Sequence, residues 1–294
     1  MSLATDMLRA ARRARNRLPD AARTEAFLRG LVRPDGGFAG RAGPSDLYYT
    51  VFAMHGLAAL SADLLEAAPR RYLAAFGDGA ALDFVHLACL ARCWSLLPPP
   101  GAPGDLRRAV LRRIEAHRAA DGGYHTAPGA AAGSPYAGFL ALGAYQDFEA
   151  DPPDREALAE SVRAIRAEDG GYTHEPSARF TSTPVTAAAV CTLHELGEAV
   201  DRRAADWLLA RGHPEGGFLA ATAAPVPDLL STATALHALA AAGVALEAGP
   251  RRKCIEFVRG LCSADGGFRG SPADDQADCE YTFYALLALG HLAE

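Results

Sequence analysis

Carboxylates stand directly before four of the long apolar runs of this chain: Asp46 before Leu47, Asp83 before Phe84, Asp228 before Leu229 and Asp278 before Cys279. Aromatic residues crowd the same places, at Tyr48, Tyr49, Tyr136, Phe139, Tyr281 and Tyr284, and Glu280 lies two residues past Asp278. A carboxylate can hold a metal or move a proton, while an aromatic face, negative at its centre, suits an apolar chain or a carbocation. Asp228, Asp278 and Glu280 are therefore the candidate acid/base or metal-binding groups. Tyr48, Tyr49, Tyr136, Phe139, Tyr281 and Tyr284 are the candidate walls of a substrate cavity. A plainer reading competes: an aspartate before a helix caps it, and aromatic side chains fill a core.

Two further sets have usable chemistry. Asp83-Phe84-Val85-His86 offers a carboxylate and an imidazole one helical turn apart, and Cys89 and Cys93 continue the stripe. Seven residues of helix rise about 10 Å while metal–ligand bonds are near 2 Å, so His86, Cys89 and Cys93 cannot share one ion. Asp83 with His86 is the weak candidate metal pair. His174 and Arg179 follow a turn closely and could bind a polar or anionic part of a substrate. The chain has no Gly-x-Ser-x-Gly elbow, P-loop or dinucleotide fingerprint.

The elements that must position these groups are announced by five copies of one turn. They are Asp35-Gly36-Gly37-Phe38, Asp121-Gly122-Gly123-Tyr124, Asp169-Gly170-Gly171-Tyr172, Glu215-Gly216-Gly217-Phe218 and Asp265-Gly266-Gly267-Phe268. Their first glycines are 86, 48, 46 and 50 residues apart, so an eroded sixth copy belongs in the first gap, where Phe76-Gly77-Asp78-Gly79 sits. A repeat of this length is a supersecondary unit that buries its apolar face only by stacking on its neighbours. Each unit reads as an amphipathic helix, such as 106–117 or 155–166, then the turn, then a helix that is apolar nearly all round. The second kind covers 47–60, 84–97, 136–145, 185–196, 229–241 and 279–292. One-sided helices belong outside and all-round apolar ones inside. Asp105 and Asp154 are the expected caps of the two clearest outer helices. The first and last inner segments, Ser45-Asp-Leu-Tyr-Tyr-Thr-Val-Phe-Ala53 and Ala277-Asp-Cys-Glu-Tyr-Thr-Phe-Tyr-Ala285, match closely. An open solenoid makes its terminal units atypical, so well-preserved ends favour closure. The expected fold is all-α, a six-repeat α/α toroid over 24–294, preceded by an N-terminal helical arm over 1–23.

Composition narrows the function classes. The formal net charge of −6 over 294 residues gives no basic surface for nucleic acid. The one basic run, Arg9 to Arg17, reads as a solvated helix face. No stretch approaches the roughly 20 apolar residues that span a bilayer, and six cysteines show neither metal nor disulfide-framework spacing. A cytoplasmic, reduced protein is the simplest expectation.

The repeated turn, with Asp35-Gly-Gly-Phe-Ala-Gly-Arg-Ala-Gly43 and Ser45-Asp-Leu-Tyr-Tyr-Thr50, resembles the prenyltransferase and terpenoid-cyclase superfamily of α/α toroids, most of all the protein prenyltransferase β-subunits. The resemblance covers nearly the whole chain from Thr24. It implies an isoprenoid in an aromatic-lined central cavity, inner-helix N-termini around the mouth, and a zinc site. It also implies a separate α-subunit as a possible partner. Carried over by motif, Asp228 matches one zinc ligand, but Leu230 and Tyr281 stand where a cysteine and a histidine belong. The usual zinc site is therefore incomplete and the cofactor is left open. Asp274-Asp275-Gln276-Ala277-Asp278 is acidic like the Asp-x-Asp-Asp motif of the cyclases, with different spacing. The resulting expectation is a divergent prenyltransferase- or cyclase-like protein handling an isoprenoid or similar lipid-like molecule. The alternatives are a non-catalytic binding module and a β-like subunit that needs a partner.

Overall fold

The computed structural model describes residues 2–61 and 67–293. Six helices form an inner ring: α3 (Leu47–Ala59), α5 (Phe84–Leu96), α7 (Pro135–Asp147), α9 (Thr183–Glu195), α11 (Leu229–Ala241) and α13 (Cys279–His291). Outside them lie α2 (Ala21–Gly30), α4 (Ala67–Ala74), α6 (Gly104–Glu115), α8 (Arg155–Ala164), α10 (Arg202–Leu209) and α12 (Ala248–Gly260). Each inner helix packs on the next, and α13 packs on α3, so the ring closes. The only paired strands among the described residues are two-residue β1 (Phe268–Arg269) and β2 (Ala277–Asp278).

The Gly-Gly turn does three jobs. Its first glycine takes the left-handed conformation, with φ of +97° at Gly36 and +94° at Gly266. It also lets the next outer helix approach: a methyl on Gly36 would stand 2.1 Å from the Ala68 carbonyl oxygen, and one on Gly266 would stand 2.6 Å from the Arg23 carbonyl carbon. The second contact joins the last turn to the first outer helix, which is how the ends of the chain meet. The aromatic that follows bridges back to the end of the finished helix, as in Val32 with Phe38 and Cys262 with Phe268.

An interaction not anticipated from sequence locks the turn to the inner ring. The N–H groups of Phe38, Tyr172, Phe218 and Phe268 donate to the hydroxyls of Thr50, Thr186, Thr232 and Thr282 at 2.9–3.0 Å. All four threonines are fully buried. In three of them the hydroxyl in turn donates to the carbonyl of the capping aspartate four residues earlier. Gly138 takes the corresponding place after Tyr124, so that turn lacks the bond.

The Phe76–Gly79 segment lies between α4 and α5, with positive φ at Gly77 and Gly79 but no bridge of the kind the other turns make. Two helix-end expectations need correction. Asp105 lies inside the first turn of α6, whose N-cap is Pro103, whereas Asp154 caps α8 through the Ala157 N–H. His117 falls beyond α6, and its Nδ1 is 3.1 Å from the His125 carbonyl oxygen.

Arg9, Arg12, Arg13 and Arg15 of the N-terminal arm are exposed, as a solvated helix face requires, while its other side packs on the ring. Helix α1 (Leu3–Arg12) and the 3-10 turn Arg13–Arg17 lie against α13, with α1 also touching α3 and α7. Ala10, Ala11 and Ala14 are buried there. The basic run is a clasp: Arg15 donates to the Leu60 carbonyl and Arg17 to the Ala293 carbonyl, where inner helices end with unsatisfied oxygens. Among the described residues no helix is long and apolar enough to cross a membrane.

Candidate functional site

The ring encloses a cavity of about 350 Å³ to which all six inner helices contribute, with Met7 of α1 also in its lining. The lining follows from helical periodicity. Two residues past each N-cap come Tyr48, Val85, Tyr136, Pro184, Leu230 and Glu280, which form the mouth. A middle layer follows, with Phe52, Cys89, Phe139 and Tyr284 among its members. Nine residues past the caps come His55, Arg92, Cys191, His237 and Leu287, with Gly143 at the same level of α7. Seven residues of helix separate the mouth from this floor, about 10 Å.

The cavity is largely apolar and rich in rings. Tyr48 meets Phe52 edge-on at 5.0 Å, and Phe52 lies 5.4 Å from Tyr284. Among the described residues Glu280 is the only carboxylate in the lining. The Tyr48 hydroxyl donates to Glu280 Oε1 at 2.7 Å. Burial pushes the Glu280 carboxyl above its ordinary range, Asp278 adds to the shift, and the Tyr48 hydrogen bond opposes it. The Tyr48 and Tyr284 hydroxyls are held neutral, again chiefly by burial.

Of the candidate acid/base, wall and loop residues singled out in the sequence, Tyr48, Tyr136, Phe139, Tyr284 and Glu280 line this cavity, as does Cys89, while Asp228, Asp278, Tyr49, Tyr281, Asp83, His86, His174 and Arg179 do not. Asp228 caps α11, accepting from the Ser231 N–H and hydroxyl at 2.7 Å each. Asp278 is buried, caps α13 through the Tyr281 N–H, and accepts from Arg41 Nε at 3.1 Å. Arg41 also forks onto Asp274, which fastens the first turn's loop to the last. Tyr49 and Tyr281 lie over Gly40 and Gly270, where an added methyl would stand 2.6 and 2.5 Å from the rings. Asp83 caps α5, accepting from the His86 N–H at 2.9 Å, with its other contact to His86 Nδ1 at 2.8 Å. His174 and Arg179 stand on an exposed loop beside Phe180, which is 84% exposed.

The rim carboxylates thus meet helix N–H groups and one arginine. Among the described residues no three His, Cys, Asp or Glu side chains converge as metal ligands would. The residues do not fit the zinc site that the resemblance implies: Leu230 has no donor atom, and the Asp228 oxygens serve Ser231.

Sequence reasoning missed the floor. Burial keeps His55 neutral, with its pKa lowered to about 3, and its Nε2 has no partner among the described residues. His237 is lowered to about 4 by burial, and its Nδ1 is 3.0 Å from His291 Nε2. Arg92 pairs with the buried Asp147. Their signal was the spacing of nine from each cap, which becomes visible only when the caps are known to be in register around a ring.

Comparisons with known proteins agree with this architecture. A family model for the prenyltransferase alpha-alpha toroid domain matches residues 3–88, 135–205 and 185–294. The type II terpene cyclase MstE from Scytonema, in a variant complexed with its substrate geranylgeranyl dihydroxybenzoate, is similar in structure. Its TM-score is 0.67 at 13% identity, over 97% of each chain. A Candida albicans protein geranylgeranyltransferase-I complexed with GGPP gives 0.68 at 12% identity, over 90% of this chain and 89% of that one. A protein from Actinoplanes gives 0.66 at 17% identity, over 92% and 97%. No curated protein matches the chain in sequence. With a family model matched across most of its length and a closed double ring of helices, the chain belongs to the prenyltransferase α/α-toroid family.

Proposed function

We propose that the chain takes an isoprenoid or similar unsaturated apolar chain into its central cavity and that Glu280 acts on it as a proton donor, in the manner of a cyclase. The observation that carries this reading is a carboxyl group in an aromatic-walled cavity, the only one among the described residues of the lining, raised in pKa by burial. A buried carboxyl whose pKa is raised holds its proton more readily than an exposed one and can donate it, and the Tyr48 hydroxyl would stabilise the carboxylate left behind. Proton transfer breaks the Glu280 O–H bond and forms a C–H bond with the alkene's π electrons. The cation is then attacked by the next double bond, and loss of a proton from a neighbouring carbon ends the sequence as a net isomerisation. Tyr48, Phe52, Tyr136, Phe139, Phe283 and Tyr284 present the faces that favour a cation, each contributing roughly 0.5–2 kcal/mol.

The solved relatives support the substrate class, since one holds a geranylgeranyl-bearing substrate and another GGPP. The lining supports the cyclase branch over diphosphate departure. Among the described residues its one arginine, Arg92, is at the floor rather than at the mouth, and Arg41 at the rim is bound to Asp274 and Asp278.

The test is incubation with geranylgeraniol and with a geranylgeranylated phenol in deuterated water, followed by mass spectrometry. The reading expects cyclic isomers carrying deuterium, and a loss of about 100-fold or more in Glu280→Gln. Binding without turnover would leave a carrier or binding module, and no binding would overturn the reading altogether.

A further inference from the structure

The floor of the cavity carries chemistry that proton donation at the mouth does not use. Arg92 reaches into the lining from α5, its Nε donating to Asp147 Oδ2 at 2.5 Å. The other Asp147 oxygen accepts from the Ser95 hydroxyl at 3.3 Å. The two terminal nitrogens of Arg92 have no hydrogen-bond acceptor among the described residues. They have room because α7 carries Gly143 at that level, where an added methyl would stand 2.7 Å from Arg92 Nη2. Across the ring, His237 faces the same space, and its Nδ1 is engaged with His291 Nε2. With His291 as the donor of that bond, His237 keeps its own proton on Nε2 and adds another donor to the floor.

Guanidinium N–H groups facing an apolar cavity without acceptors are an unfavourable arrangement that a ligand can relieve. Their planar fork matches two oxygens on one carbon, and charge-assisted bonds of this kind are about twice as strong as neutral ones. Asp147 already balances the charge on Arg92, so the fork selects chiefly by the shape and hydrogen-bonding pattern of the two oxygens.

We propose that Arg92, helped by His237, forms a carboxylate subsite, so that the ligand is an apolar chain that enters carboxylate first. Its far, unsaturated end then lies at the level of Glu280, about 10 Å above. This inference rests on the central-cavity reading and adds the ligand's polar group and its direction. It also explains why an acid sits at the mouth rather than the floor: the reacting alkene is the part of the chain that enters last.

The test compares farnesoic acid with farnesol, which differ only at the polar end, by titration calorimetry. Wild-type protein should bind the acid at least 10-fold more tightly than the alcohol. The double variant Arg92→Met, Asp147→Asn, which removes both charges together, should bring the acid to the alcohol's affinity. Gly143→Ala gives a second route that keeps every charge, since its methyl displaces the fork, and it should also remove the preference. Equal binding of acid and alcohol by wild type overturns the subsite and leaves the cavity reading standing. A preference that survives in both variants also overturns it. Failure of both probes to bind overturns the cavity reading itself.

Discussion

Thr282→Val removes one oxygen from a site with no solvent. The Thr282 hydroxyl accepts from the Phe268 N–H at 3.0 Å and donates to the Asp278 carbonyl at 2.6 Å, and threonine and phenylalanine are both fully buried. Valine fills nearly the same volume, so packing changes little, but the Phe268 N–H is left buried without a partner. An unsatisfied buried donor costs roughly 1–3 kcal/mol. For a domain of this size, 2 kcal/mol corresponds to a fall in Tm of about 4 °C. The turn that loosens is the one joining the last inner helix to α2, so the opening should register at the ring closure. Thermal unfolding followed by circular dichroism measures the first effect, and amide hydrogen exchange of Phe268 measures the second. A Tm within 1 °C of wild type, with Phe268 exchange unchanged, would refute the claim that these threonines tie the turns to the inner ring.

Other expectations follow from the same geometry. Gly266→Ala should destabilise strongly, because its φ is +94° and the methyl would meet Arg23, whereas Gly260→Ala, with open space around it, should gain up to about 1 kcal/mol; equal Tm values in the two variants would contradict this. Glu280 binds its proton more tightly folded than unfolded, so its contribution is full below the unfolded carboxylate value and lost as pH rises through the folded one. Glu280→Gln should therefore have a higher Tm than wild type at pH 8 and a smaller difference at pH 4. His55, His237 and His291, lowered by burial to about 3, 4 and 3, favour the fold above pH 6.5 and lose that contribution as pH falls; their imidazole NMR signals should not titrate between pH 8 and 5. Alkylation followed by mass spectrometry should modify Cys262 first, since the other five cysteines are buried.

The fold was legible because its punctuation is backbone chemistry. A Gly-Gly pair that must turn left-handed and admit a neighbouring helix leaves few alternatives, and five copies in near register imply a ring. The threonines that hold the turns were present in the sequence but carried no signal alone, since a threonine in the first turn of an apolar helix is ordinary. The candidate site was legible in part. Tyr48, Tyr136, Phe139, Tyr284 and Glu280 face inward, whereas Asp228 and Asp278 share their position with every capping aspartate and turn to the helix N–H groups instead. A sequence shows that a carboxylate precedes a helix; the difference between cap and cavity is a matter of two residues and 200° of helical rotation. Arg92 and His237 escaped notice because they lie deep in helices that read as uniformly apolar.

The most direct test of the account is a crystal structure of the chain with geranylgeranyl phenol or farnesoic acid at saturating concentration. The prenyl chain should lie inside the ring, between the Glu280 level and the Arg92 level, in contact with Phe52, Phe139 and Tyr284. A cavity that stays empty while the ligand binds the outer surface would contradict it.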